Sequence, residues 1–98
     1  MSKTSDIDTI LTGDPVEAME AAKRLISKNE RRQIDRLMSI AAHRHNPLWS
    51  RIAAIYTLGF IDEAAVSLNT LRSLAYDRTE HALVIEHARE AMDNLSYE

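Results

Sequence analysis

No cysteine occurs in the 98 residues, and there are only two glycines, two prolines, one tryptophan and one phenylalanine. Without thiols the chain forms no disulfide, no thiolate metal site and no cysteine nucleophile, a usage that fits a reducing compartment. Scarce Gly and Pro leave few points at which a helix is interrupted, since Gly carries the largest backbone entropy cost and Pro lacks a hydrogen-bond donor. Long apolar runs are missing too: no stretch approaches the ~20 apolar residues of a membrane span. The opening MSKTSDIDTILTGDP lacks the basic start and the apolar core, roughly 7–15 residues, of a secretory signal. A cytoplasmic location with no membrane partner is the expectation.

What is present reads as one globular domain, residues 1–98. Hydrophobic residues make up 45% and charged residues 28%, far from a disordered profile. A chain of this length buries about 65% of the surface its unfolded form exposes, enough for one modest core. Abundant Ala, Leu, Ile, Glu and Arg lose little side-chain freedom in a helix, so an all-α fold is predicted. A short helix carries Ile7, Ile10 and Leu11 after Ser5 and Asp6 and ends near Gly13. Asp14-Pro15 reads as an N-cap followed by a first helical position, before Val16 to Ile26. Asn29-Glu30 opens a third helix with Ile34, Leu37, Met38, Ala41 and Ala42 on one stripe, closed by His-Arg-His-Asn-Pro. Pro47 to Leu58 forms a fourth, apolar round most of its circumference and therefore central. Gly59 is read as its left-handed terminator, with Phe60 and Ile61 folding back onto the core. Asp62 starts a fifth helix and Thr79 a sixth.

The apolar pattern repeats. A shift of 34 residues pairs Ile34 with Leu68, Leu37 with Leu71, Ile40 with Leu74, Ala41 with Ala75, Ala54 with Ala88 and Leu58 with Met92. A shift of 33 pairs Met19 with Ile52, Ala21 with Ala54 and Leu25 with Leu58. Three helical hairpins follow, at about 5–27, 29–60 and 62–95.

Within the second hairpin, Ser50 to Ala64 supplies Arg51, Ala54, Leu58, Gly59, Ile61 and Asp62, so that the chain resembles the HEAT-like repeats of the short phycobilisome-lyase type. Their second helix reads Val-Arg-x-x-Ala-x-x-x-Leu-Gly before an acidic turn. The third hairpin matches at Val84, Ala88, Ala91 and Met92, with Ile85 and Asp93 at the Arg and Gly places; the first keeps Ala21, Ala22 and Leu25. A tetratricopeptide pattern is not met around Trp49. The resemblance implies a short right-handed α-α superhelix, a solenoid whose second helices line a concave surface, and a module that binds other macromolecules. It also implies, more remotely, an accessory subunit of a cofactor or chromophore enzyme. Self-association through the solenoid ends is a further expectation, because terminal repeats expose what inner ones cover.

Chemistry is sparse. His81 and His87 lie six apart and face different ways on a helix, and His43 near a helix C-terminus is a favourable charge there. No metal-binding spacing, nucleophile arrangement or paired-carboxylate motif stands out, so no enzyme activity, metal or cofactor is expected. Charge is more informative. Residues 23–51 hold Lys23, Arg24, Lys28, Arg31, Arg32, Arg36, Arg44 and Arg51 against Glu30 and Asp35, a net +6 in a chain of net −3. Such a segment attracts an acidic protein surface or, with few aromatics for base stacking, nucleic-acid phosphate. The bland reading is ordinary solvated faces and helix-end charges. Trp49 and Tyr56, seven apart, share one helical face with Ile52 and Ala53; buried, that stripe is core, and exposed beside Arg51, Trp49 is the natural anchor of an interface. The expectation is a protein-interaction adaptor or scaffold that meets an acidic partner through the basic segment, Trp49 and the concave helices.

Overall fold

The computed structural model describes residues 5–96. They form six α-helices and, among the described residues, no strand: α1 (Asp6–Thr12), α2 (Pro15–Lys28), α3 (Ile34–Ala42), α4 (Leu48–Ile61), α5 (Leu68–Ala75) and α6 (Ala82–Ser96). The first two helices begin where a side chain satisfies backbone groups that the helix leaves open. Ser5 Oγ accepts from the Asp8 N–H at the start of α1. Asp14 and Glu17 form a reciprocal capping box, at 2.8 and 2.9 Å, with Pro15 in the first turn of α2.

Asn29 closes α2 instead of opening the third helix. It adopts the left-handed conformation (φ 54°) while the Glu30 N–H reaches back to the Leu25 carbonyl. A single 3₁₀ turn, Arg31–Gln33, then leads into α3. The two glycines have different work from that expected of Gly59. Neither has positive φ; the second left-handed residue is Ala65 (φ 55°). Helix α4 runs straight through Gly59 to Ile61. A Cβ at Gly59 would lie 3.1 Å from Ala91 Cα and 3.2 Å from Ala91 Cβ, so the missing side chain is what lets α6 lie close against α4. Asp62 does not start α5. Its carboxylate gathers the turn by accepting from the Val66 and Ser67 N–H groups and from the Ser67 hydroxyl. Likewise α6 begins at Ala82, three residues after Thr79, where His81 Nδ1 accepts from the Leu83 N–H.

The helices pair in chain order, α1 with α2, α3 with α4 and α5 with α6, and the pairs stack so that α4 lies between α2 and α6. Helices α1, α3 and α5 form one layer and α2, α4 and α6 the other, with α3 only lightly touching α1 and α5. The molecule measures 42 × 29 × 19 Å, the thin dimension being that of two helix layers. Central α4 is buried along most of its length, from Ser50 through Ile55 to Leu58 and Ile61. Its aliphatic side chains meet Leu37, Ile40, Leu71, Leu74, Val84 and Ala88 in one core. Each fully buried Leu or Ile there contributes about 1.5–3 kcal/mol. Alanines at 21, 22, 53, 54, 88 and 91 keep the α2–α4–α6 layer tight.

Candidate partner-binding face

The basic segment folds into internal pairs. Arg24 Nε lies 2.8 Å from Asp6 Oδ1 and Lys28 Nζ 3.5 Å from Asp6 Oδ2. Arg31 meets Glu63 at 2.6 Å. Arg44 bonds to Asp77 and, at 2.7 Å, to the Thr79 hydroxyl, with Glu80 at 3.7 Å. The hydrogen bonds from the Thr79 hydroxyl and N–H, with Arg44 adding to them, hold the Asp77 carboxyl below its ordinary range.

Arg51 is withdrawn from the surface altogether. Only 4% exposed, it clamps both Glu80 oxygens at 2.8 and 2.7 Å and donates through Nε to the Ala41 carbonyl at 3.0 Å. These hydrogen bonds hold the Glu80 carboxyl below its ordinary value, against the opposing effect of burial. Arg51 thus joins the second and third hairpins, with its guanidinium engaged inside the molecule. Among the described residues, Lys23, Arg32 and Arg36 are the members of the set with no carboxylate within 4.0 Å. They do not form one stripe. Arg32 and Arg36 project from the α3 layer, and Lys23 from α2 beside Trp49.

The exposed part of α4 carries a different feature. Trp49 is 39% and Phe60 53% exposed, with Tyr56 half-buried between them. Spacings of seven and four residues bring the three rings within about 40° of arc on one side of the helix. Tyr56 and Phe60 meet edge to face, centroids 5.1 Å apart. The Trp49 end opens into a groove of about 380 Å³ walled by Pro15, Val16, Met19, Glu20 and Lys23 of α2. The Phe60 end opens into one of about 280 Å³ walled by His87, Glu90, Asp93 and Asn94 of α6. Phe60 therefore faces solvent and does not fold back onto the core; Ile61, fully buried, does. The sequence signal for Phe60 was its register with Trp49 and Tyr56, which shows only when the helix continues past Gly59. Val16, Glu90 and Asp93 had no distinguishing signal, since their place depends on which helices neighbour α4.

Both grooves are open to solvent. Among the described residues no three of His, Asp and Glu converge as a metal site. His43 and His45 lean on one another, ring centroids 5.5 Å apart, and His87 Nδ1 is engaged with the Leu83 carbonyl at 2.8 Å. No described helix is long and apolar enough to cross a membrane. Comparison with protein-family models, with curated proteins and with solved structures finds no match to this chain.

Proposed function

We propose that the chain is a non-enzymatic, HEAT-like protein-interaction module that binds a segment of a partner protein across the α2–α4–α6 layer. The observation that carries this reading is the row Trp49–Tyr56–Phe60 on a helix otherwise buried on its other sides. Large rings on the surface of such a helix are ready for burial by a partner, and Trp and Tyr are the residues most enriched in binding hot spots. In a right-handed superhelix this layer is the concave one. The residues that carry the HEAT-like resemblance serve the fold: Arg51 joins hairpins, Gly59 admits α6 and Asp62 gathers a turn. The binding surface is then read from the aromatic row and not from the consensus.

An acidic partner, expected from the sequence, retains one foothold, Arg32 and Arg36, four residues apart and exposed on the α3 layer. Nucleic acid is disfavoured because most of the basic segment is neutralised internally, leaving no stripe to track a phosphate backbone.

Affinity capture from native lysate tests the reading, with wild type beside a Trp49→Ala, Phe60→Ser variant and an Arg32→Glu, Arg36→Glu variant, each checked for folding by circular dichroism. The expected result is a protein lost from the aromatic variant, retained by the charge variant and indifferent to nuclease. Retention by the folded aromatic variant would overturn it.

A further inference from the structure

The two ends of the aromatic row differ in charge, and that difference specifies the partner. At the Trp49 end, Lys23 and Glu20 offset one another along a wall of Pro15, Val16 and Met19. At the Phe60 end, the groove brings the edge-to-face pair Tyr56–Phe60 together with the carboxylates of Glu90 and Asp93 and the Asn94 amide. Neither carboxylate has a cationic side chain within 4.0 Å among the described residues. The cation nearest in sequence, Arg89, borders a separate groove with Tyr76, Met92 and Asp93, where its guanidinium lies 5.9 Å from the Tyr76 ring centroid and more than 4.0 Å from either carboxylate.

We infer that the groove between α4 and the C-terminal half of α6 receives a cationic side chain, so that the partner is a basic segment carrying arginine or lysine beside an aliphatic anchor. The inference rests on the interaction reading above and names its partner's chemistry. A ring face attracts a cation held within about 6 Å of its centroid, guanidinium more often than ammonium. Glu90 and Asp93, three residues apart on one side of α6, supply the counter-charge, and a planar guanidinium pairs with carboxylate through two parallel bonds. The Asn94 amide adds an acceptor for a remaining guanidinium N–H.

The neutral, aliphatic-walled Trp49 end suits an apolar side chain, which fixes the direction in which the segment lies. Eleven residues of helix separate the two ends, about 16 Å, which an extended peptide spans in roughly five residues. Charge complementarity of this kind sets orientation and partner choice more than total affinity.

The test is a titration of ¹⁵N-labelled protein with a short arginine–leucine peptide, using a glutamate–leucine peptide of the same pattern as control. The arginine peptide is expected to give saturable shifts at Phe60, Glu90, Asp93 and Asn94. The Glu90→Gln, Asp93→Asn variant, which preserves side-chain size on an exposed helix face, is expected to weaken its binding roughly tenfold. Equal binding of the two peptides would overturn the inference, as would no saturable binding of the arginine peptide. Binding that moves only Trp49 and Val16 and ignores the carboxylate substitutions would sink the cation site while leaving the interaction face standing. Self-association of the protein that Arg32→Glu, Arg36→Glu abolishes would replace the basic segment with a second copy of this chain.

Discussion

Arg51 contributes through its position more than through its charge. Its guanidinium leaves water only because Glu80 and the Ala41 carbonyl together occupy its donors. Removing one member strands the other, so Arg51→Leu is expected to cost about 3–5 kcal/mol in urea unfolding. The double variant Arg51→Met, Glu80→Met is expected to be more stable than either single one, because no buried charge is left alone. The same pair sets a pH dependence. Glu80 titrates below its ordinary 4.5 in the folded state, chiefly through the Arg51 hydrogen bonds. Its contribution to stability is therefore fully present above pH 4.5 and is lost as pH falls through the lower folded value. Unfolding free energy measured against pH should decline on acidification, and the decline should be shallower in Glu80→Gln, which is less stable at neutral pH.

At the scale of elements, α4 shows how a helix terminator is misread. Gly followed by an acidic pair has the sequence signature of a left-handed stop, yet α4 continues because Phe60 and Ile61 remain helical and the stop falls at Asp62. The glycine answers a neighbour 32 residues away, Ala91, which no local pattern reveals. Two effects oppose in Gly59→Ala. Helix propensity favours the substitution by about 1 kcal/mol, while overpacking against the backbone of α6 costs about 1–3 kcal/mol. The contact is with Ala91 Cα, which moves only if the whole helix moves, so overpacking wins. Gly59→Ala is expected to destabilise by about 1 kcal/mol, read as a lower urea midpoint at unchanged slope.

The element count and the core stripes were legible because six amphipathic or apolar segments with clear breaks leave little choice. Helix starts were less so. Asp62 and Thr79 have the chemistry of caps but spend their side chains on the turns before α5 and α6, Asp62 on Ser67 and Thr79 on Asp77 and Arg44. Trp49 was legible as a candidate, while the acidic wall opposite Phe60 needed the third hairpin to be placed beside the second.

Over the whole molecule, the charge division has an internal meaning. The basic middle hairpin lies against an acidic third one, and Arg31–Glu63 and Arg44–Asp77 join residues 32 and 33 apart, close to the repeat length. What looks in the sequence like a lure for an outside partner is in large part used between neighbours. The exposed pairs contribute little individually: Arg31 and Glu63 keep 53% and 68% of their side-chain surface, and Arg31→Ala is expected to change stability by less than about 1 kcal/mol. High salt should screen these pairs and leave the buried Arg51–Glu80 joint almost untouched. Stability measured against salt concentration is then expected to fall only slightly, by the small contribution of the exposed pairs, while the buried pair keeps its own.

The Arg51–Glu80 clamp also bears on how such an array lengthens. By the 34-residue shift, the place of Glu80 in the middle hairpin is held by Asn46, and by the 33-residue shift the place of Arg51 in the first hairpin is held by Ala18. A copy of the middle hairpin inserted after itself would set a buried guanidinium opposite an uncharged amide. Such a copy is expected to be less stable than one that also carries Asn46→Glu, by about the 3–5 kcal/mol that a stranded buried charge costs.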